Sequence, residues 1–226
     1  MAKQSIKLTP EILLAAYSQG LFPMAQGKDS LYIDWICPRQ RGQLSITGMH
    51  IPKRLAKSVR QMKLKSEPYE IRVNTNFSCV IEECAIETEK RSETWINQEI
   101  IEVFNDLHKL GYAHSLECWQ GEELVGGLYG LAVGAAFFGE SMFSKRRDVS
   151  KAALVHLTAR LHHAKYEILD TQFVNDHLQQ FGVYEVPHQG YLKILDPALR
   201  KRRIFDFDDM GEQDLVKNYF AMRASE

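Results

Sequence analysis

The stretch YAHSLECW (Tyr112 to Trp119), ELVGGLYGLAV (Glu123 to Val133) and AFFGESMF (Ala136 to Phe143) sets three strand-like runs in a row, parted only by the short Gly-containing links QGE and GA. Such runs with such breaks predict an antiparallel meander. Downstream, Ser150 to Lys165 reads as a helix with Ser150 or Asp148 available as N-cap. A strand over Glu167 to Gln172 follows, then helices around Asp176 to Phe181 and Gln189 to Leu195. Upstream, Tyr69 to Val73 alternates like a strand, Phe77 to Ala85 is helical, and Gln98 to Leu110 is an amphipathic helix stopped by Gly111. This mixed order predicts an α+β fold.

Before the meander half lies a different kind of sequence. A helix is expected from Pro10 to Gln19, with Thr9 as cap, Pro10 at the first helical position and Gly20 as its end. Phe22, Pro23, Tyr32, Trp35, Pro38 and Gly42 then leave little room for a long regular element. Lys53 to Gln61 reads as a short helix with positions 53, 57 and 60 on one face. Residues 1–65 are therefore expected to form a small N-terminal domain and residues 66–226 the larger one. By composition only the last ~15 residues look poorly ordered.

The chain has 226 residues, 45% of them hydrophobic, which is enough for one large core or two small ones. No apolar run reaches the ~18 residues of a membrane span, and Met1 to Leu8 lacks the features of a secretory leader, so a cytosolic protein is expected. The cysteines Cys37, Cys79, Cys84 and Cys118 form no C-x-x-C pair; they read as reduced, with no metal site. The net charge is only -1, yet cations gather at Lys53, Arg54, Lys57, Arg60, Lys63 and Lys65, at Lys145, Arg146 and Arg147, and at Arg200 to Arg203. Each patch is most simply a solvated face, and part of the third can pair with Asp206, Asp208 and Asp209. Three patches in one chain still keep an anionic partner in view.

Asp170 and Gln172, two apart at a strand end, should face the same way and act on one substrate. From spacing alone, an Asp that caps the next loop or pairs with a nearby Lys or Arg stands first. The Ser144 to Arg147 loop joins a strand to a helix N-terminus and suits a phosphate as well as it suits a plain helix cap. Gly126, Gly127 and Gly130 weaken the second strand and suggest a bulge or a close approach of backbone or ligand. Trp95 is either a stacking platform for a base or the cover of a core edge. His156, His162 and His163 lack metal-ligand spacing, and no G-x-S-x-G, P-loop or G-x-G-x-x-G is present, so no cofactor is expected.

Taken together, LLAAYSQGLFPM (Leu13 to Met24), TWI (Thr94 to Ile96), GYAHSLECW (Gly111 to Trp119), ELVGGLYGLAVGAAFFGESMFS (Glu123 to Ser144), SKAAL (Ser150 to Leu154) and LDTQFVNDHL (Leu169 to Leu178) resemble the bacterial leucyl/phenylalanyl-tRNA-protein transferase family. The resemblance implies a small N-terminal domain and an acetyltransferase-like (GNAT-like) mixed-sheet domain. It implies transfer of Leu or Phe, less well Met, from aminoacyl-tRNA to proteins that begin with Arg or Lys, marking them for degradation by the N-degron route. It assigns catalysis to Asp170 and Gln172, the adenosine neighbourhood to Trp95, and the pocket for the transferred side chain to Met142, Leu157, Leu161 and Met24. Leu157, Leu161 and Met24 stand where some relatives carry aromatic residues, which affects the preference among Leu, Phe and Met.

On this reading Lys53, Arg54, Lys57, Arg60, Lys145, Arg146 and Arg147 contact tRNA phosphates, and Glu140 binds the cationic N-terminal residue of the acceptor. Asp170, through or beside Gln172, orients the amine and accepts its proton. No cofactor is required, since the aminoacyl ester is already activated, and the protein is expected to act as a monomer. Two rivals remain: an N-acetyltransferase using acetyl-CoA, against which the Ser144 to Lys151 loop lacks a Gly-rich cradle, and a tRNA-binding protein without chemistry.

Overall fold

The computed structural model of the chain describes residues 7–88 and 92–224; Met1 to residue 6, the body of the stretch read for a leader, lies outside the described residues. Helix α1 (Pro10–Ser18) starts as its sequence dictates, with the Thr9 hydroxyl accepting the Ile12 N–H and Pro10 in the first turn. The turn-rich segment holds no long element, only the four-residue strands β1 (Phe22–Ala25), β2 (Ile33–Ile36) and β3 (Gln40–Gln43). Next come α2 (Lys53–Arg60), β4 (Lys63–Leu64), β5 (Glu67–Pro68), β6 (Glu70–Val73), α3 (Phe77–Ala85) and α4 (Gln98–Lys109). The meander is β7 (Ala113–Gln120), β8 (Glu123–Val133) and β9 (Ala136–Ser144), within a residue or so of the expected bounds. The chain finishes with α5 (Val149–His163), β10 (Ile168–Gln172), α6 (Asp176–Gln179), β11 (Tyr184–Pro187), α7 (His188–Leu199) and α8 (Glu212–Ala224).

The architecture is α+β around a seven-stranded sheet of order β11-β3-β10-β9-β8-β7-β6. Every pair in it is antiparallel except β9 with β10, which α5 connects and which run parallel. Strand alternation sorts the side chains between two cores. Leu116, Cys118, Val125, Leu128, Phe137 and Leu169 pack with α2, α5 and α8 on one face. Ala113, Leu124, Tyr129, Leu131, Ala136, Phe138 and Ile168 pack with α1, α3, α4 and α7 on the other. Residues before position 65 contribute directly to the sheet, because β3 lies between β10 and β11.

The three glycines of β8 are explained by the chain's own packing. A Cβ at Gly126 would meet the Val149 side chain at 2.4 Å, one at Gly127 the Leu116 carbonyl at 2.8 Å, and one at Gly130 the Phe138 carbonyl at 2.4 Å. The β8/β9 register slips between Tyr129 and Gly130, so a bulge is present where the sequence suggested one.

Three local expectations are corrected. Asp148 does occupy the N-cap position of α5 but makes no side-chain capping bond; it is left-handed (φ 65°), its carboxylate meets Arg54, Arg147 and Lys151, and the Ser150 N–H donates to Ser144 Oγ. Residues 212–224 are helical, not poorly ordered: α8 buries Leu215, Val216, Tyr219 and Phe220, Tyr219 donates to the Ile46 carbonyl at 2.7 Å, and Glu212 receives Arg160. Its polar composition hid an apolar stripe that α5, α2 and the 44–49 segment complete. The cations at 200–203 do not pair with the acidic tail: Arg200 meets Asp196, Lys201 meets Glu167, and Arg203 donates to the Lys165 carbonyl.

Gly130→Ala is expected to destabilise the fold by about 1–3 kcal/mol, since both obstructing groups are a carbonyl and the Phe137 ring, neither free to yield. Urea unfolding monitored by tryptophan fluorescence checks this, and an unchanged midpoint would contradict the packing argument.

Candidate active site

A cleft of about 980 Å³ opens beside the point where β9 and β10 separate. The two strands pair only as far as Asp170 with Phe138; beyond it β9 runs on through Gly139 to Ser144 while β10 stops at Gln172. Gly42 permits that turn away, since a Cβ there would meet Phe173 backbone at 2.7 Å. The walls carry Met24 from β1, Trp95 from the loop before α4, Glu140 and Met142 from β9, Leu154 and Leu157 from α5, and Gln172. The sequence-chosen residues Met24, Trp95, Glu140, Met142, Leu157 and Gln172 thus converge on one space. Leu161 does not join them: it is fully buried one helical turn further on, inside the core beneath α5. Trp95 is half-buried against the second core and held in place, its carbonyl accepting the Ala25 N–H and the neighbouring Asn97 amide donating to the Ser30 carbonyl.

Asp170 stands behind the cleft wall with no exposed surface. Arg41 Nε donates to both of its oxygens at 3.0 and 2.9 Å, the Gln172 N–H donates to Oδ1 at 2.7 Å, and the Tyr191 hydroxyl donates to Oδ2. Each carboxylate oxygen therefore accepts two hydrogen bonds, which fills its lone-pair directions. Burial pushes the Asp170 carboxyl up, and Arg41, Tyr191 and the Gln172 amide pull it back. The plainer sequence reading, an Asp paired with an Arg, describes this residue, and a proton taken directly from substrate has no place to go on it. What Asp170 does control is Gln172, whose backbone is held in the left-handed region at φ 63° by that N–H bond. The two side chains act together through a kinked backbone as well as through strand alternation.

Glu140 is the carboxylate that lines the cleft. It is 8% exposed; Tyr17 of α1 donates to Oε1 at 2.8 Å, and Oε2 has no hydrogen-bond partner. Burial pushes its carboxyl up to about 7, while Tyr17 and the facing Gln172 carboxamide favour the ionised form. Gln172 Nε2 faces this carboxylate closely enough to act on it but closes no hydrogen bond by distance and angle. Both of these unpartnered atoms are buried, facing one another. Tyr17, Arg41 and Tyr191 escaped sequence reasoning as site residues, because nothing in their spacing distinguishes a buried polar side chain from a surface one.

The basic residues flank the cleft unevenly. Lys145 lines it and pairs with Glu83; Arg146 is engaged by Glu123 and Gln120, and Arg54 and Arg147 by Asp148. Arg60 stacks over the Phe220 ring at 4.2 Å. Lys53 and Lys57 are exposed and make no ion pair among the described residues. The loop before α5 is therefore internally neutralised, whereas α2 offers free cations.

Two family profiles match the chain: one described as Leucyl/phenylalanyl-tRNA protein transferase over residues 43–196, and one described as its N-terminal domain over residues 7–39. Among curated relatives, the Leucyl/phenylalanyl-tRNA--protein transferase of Paramagnetospirillum magneticum is 51% identical over 199 residues, covering 88% of this chain and 93% of its own length. The protein of the same name from Rhodopseudomonas palustris is 48% identical over 200 residues, 88% of this chain and 87% of that one. The one from Caulobacter vibrioides is 51% identical over 191 residues, 84% and 86% of the two chains. With the cleft, its buried Asp170 network and these matches over most of its length, the chain belongs to the leucyl/phenylalanyl-tRNA-protein transferase family.

Proposed function

We propose that the chain moves Leu or Phe, and less well Met, from aminoacyl-tRNA to the N-terminal α-amine of proteins beginning with Arg or Lys, marking them for degradation by the N-degron pathway. The observation that carries this reading is one cleft with an apolar wall, Met24, Leu128, Met142, Leu154, Leu157 and Leu169, and a largely buried carboxylate, Glu140, in that wall. The apolar wall suits a Leu or Phe side chain, and rejection by size alone is worth roughly 1–3 kcal/mol per methylene, which fits some leakage to Met. The carboxylates suit a cationic N-terminus: Glu140 lies at the wall, and Asp176, also lining the cleft, makes no ion pair among the described residues. Trp95 offers a face for the terminal adenosine, and the free cations of α2, with Arg54, Arg60 and Lys145 to Arg147 nearby, serve the tRNA backbone.

In this reading Asp170 positions Gln172, which helps orient the amine, and holding amine and ester together supplies much of the acceleration, of order ~7 kcal/mol or more. The division into residues 1–65 and an acetyltransferase-like part over 66–226 belongs to the same proposal; an antiparallel meander followed by α5 and the parallel strand β10 supports it. The cytoplasm as working place, where charged tRNA is found, and a monomeric state belong to the proposal as well. Among the described residues no helix is long and apolar enough to cross a membrane.

Radiolabelled Leu supplied as Leu-tRNA is expected to appear on peptides starting with Arg or Lys and not on one starting with Ala. Label that stays on tRNA, with acetylation from acetyl-CoA in a parallel tube, would establish the acetyltransferase instead. Lys53→Gln with Lys57→Gln should weaken tRNA binding about equally for all sequences and reduce the salt slope by about 1 for each cation removed. Filter binding across a series of KCl concentrations checks it, and an unchanged slope assigns the contact elsewhere.

Glu140 also has a stability signature. A carboxyl raised from its ordinary 4.5 to about 7 binds its proton more tightly in the folded state. Its contribution is therefore full below about pH 4.5, is lost as pH rises to about 7, and stays lost above. Glu140→Gln should accordingly gain about 1–3 kcal/mol relative to the unaltered chain on going from pH 5 to pH 8. Thermal melts at the two pH values test this, and a variant whose relative stability is the same at both would show Glu140 to be ordinary.

A further inference from the structure

Resting on the transferase reading, we propose that α8 forms the outer part of the tRNA interface: Lys217 contacts the backbone of the acceptor arm, and Phe220 positions Arg60 to do the same. Helices α2 and α8 enclose a groove of about 390 Å³, lined by Arg60 from α2 and by Gln213, Val216, Lys217, Phe220 and Ala221 from α8. The groove shares no residue with the cleft. The matched family profile ends at residue 196, and α8 lies wholly beyond it.

The charges on these two helices are unevenly answered. Helix α2 reads KRLAKSVR, four cations and no carboxylate. Arg54 is paired with Asp148, whereas Lys53, Lys57, Arg60 and Lys217 are exposed and make no ion pair among the described residues. On α8, Glu212 is turned inward to Arg160 and His156, and Asp214 makes no ion pair among the described residues. Positions 53, 57 and 60 share one face of α2, and Arg60, the last of them, shares the groove with Lys217, so the row continues onto α8. Arg60 is itself seated by α8: its guanidinium lies 4.2 Å from the centroid of the Phe220 ring, and Phe220 is anchored in the core with Leu215, Val216 and Tyr219. A guanidinium stacked on a fixed ring keeps its N–H groups for phosphate and loses less freedom when it binds one.

The direction of the row selects the partner. At the first turn of α2, Arg54 is tied to Asp148, which lies between the cleft-lining residues Lys145 and Ser150. Arg60 stands about 9 Å further along the helix, at the groove with α8. A polyanion whose aminoacylated end occupies the cleft therefore meets Lys145, then α2, then Lys217. The paired arm of a tRNA offers phosphates in such succession, and contacts of this kind need no base readout.

The test measures tRNA binding by the full chain across a series of KCl concentrations, together with KM for Leu-tRNA in transfer to an Arg-starting peptide. Lys217→Gln is expected to reduce the salt slope by about 1 and to raise KM for Leu-tRNA. Phe220→Leu, which stays apolar but removes the ring, is expected to raise the tRNA Kd by about 2- to 5-fold when Arg60 is present and to add nothing in an Arg60→Gln background. Lys109→Gln, on α4 against the opposite core, removes a surface cation as a control and should leave the slope unchanged. A slope unmoved by Lys217→Gln overturns the contact, and a Phe220→Leu loss that persists without Arg60 overturns the positioning role. A rise in KM confined to the acceptor would give this face to the acceptor protein and overturn the proposal as well. Lys217 is exposed, so its substitution decides the matter even if Phe220→Leu fails to fold. Absence of transfer by the unaltered chain would sink the transferase reading, whereas normal transfer with an unmoved slope sinks only the role of α8.

Discussion

The ion pair between Arg41 and Asp170 is the contact on which the site depends. Both side chains are fully buried, one on β3 near the start of the chain and the other at the end of β10. Such a pair offsets the desolvation of its charges better the more of its remaining polar sites are met. Here Arg41 also donates to the Gly20 carbonyl at 2.9 Å, Tyr191 of α7 completes Asp170, and the Phe22 and Tyr191 rings flank the guanidinium at 4.7 and 5.0 Å, while Arg41 Nη2 is buried without a hydrogen-bond partner. Loss of one partner would strand the other charge, a cost of about 3–5 kcal/mol in buried pairs. The pair therefore ties the α1 end, β3, β10 and α7 into one unit.

The cleft is a consequence of that unit. Once Asp170 is fixed, the Gln172 N–H must turn back to reach it, which puts Gln172 in the left-handed region and ends β10 early. The neighbouring strand β9 continues, and the wedge between them is open. The apolar part of the wedge comes from α5, whose Leu154 and Leu157 face it while Leu161 faces the core. Helix α1 reaches the same wedge from the other side and supplies the Tyr17 hydroxyl to Glu140. Polar groups are thus seated on rigid elements, with the two carboxylates in contrasting states: Asp170 saturated with donors, Glu140 buried with one oxygen bonded to Tyr17 and the other unpartnered. Environments that separate two acids in this way commonly separate their roles.

Much of the fold was legible from the sequence. The bounds of α3 and β8 follow directly from periodicity, and α1 from its Thr9 cap and Pro10, because these signals are local. Short strands such as β3 and β11 carry too few residues to show a period, and α8 carries an apolar stripe diluted by charge. For the site, the sequence supplied the cleft-lining Met24, Trp95, Glu140, Met142, Leu157 and Gln172, chiefly through resemblance to a family; Leu161 shared their motif but not their surface.

Residue spacing along the chain settled the secondary structure of the central elements, the mixed α+β order and the family, since each rests on patterns within a few residues or on motif order. Tertiary structure alone decided which polar groups are buried and with what partners. Arg41 lies 129 residues from Asp170, and Tyr17 lies 123 from Glu140. A hydrogen bond across such separations leaves no periodic trace. The contrast between a saturated carboxylate and a half-satisfied one is a property of the packed interior, where lone pairs are filled or left open by whatever the fold brings within 3 Å.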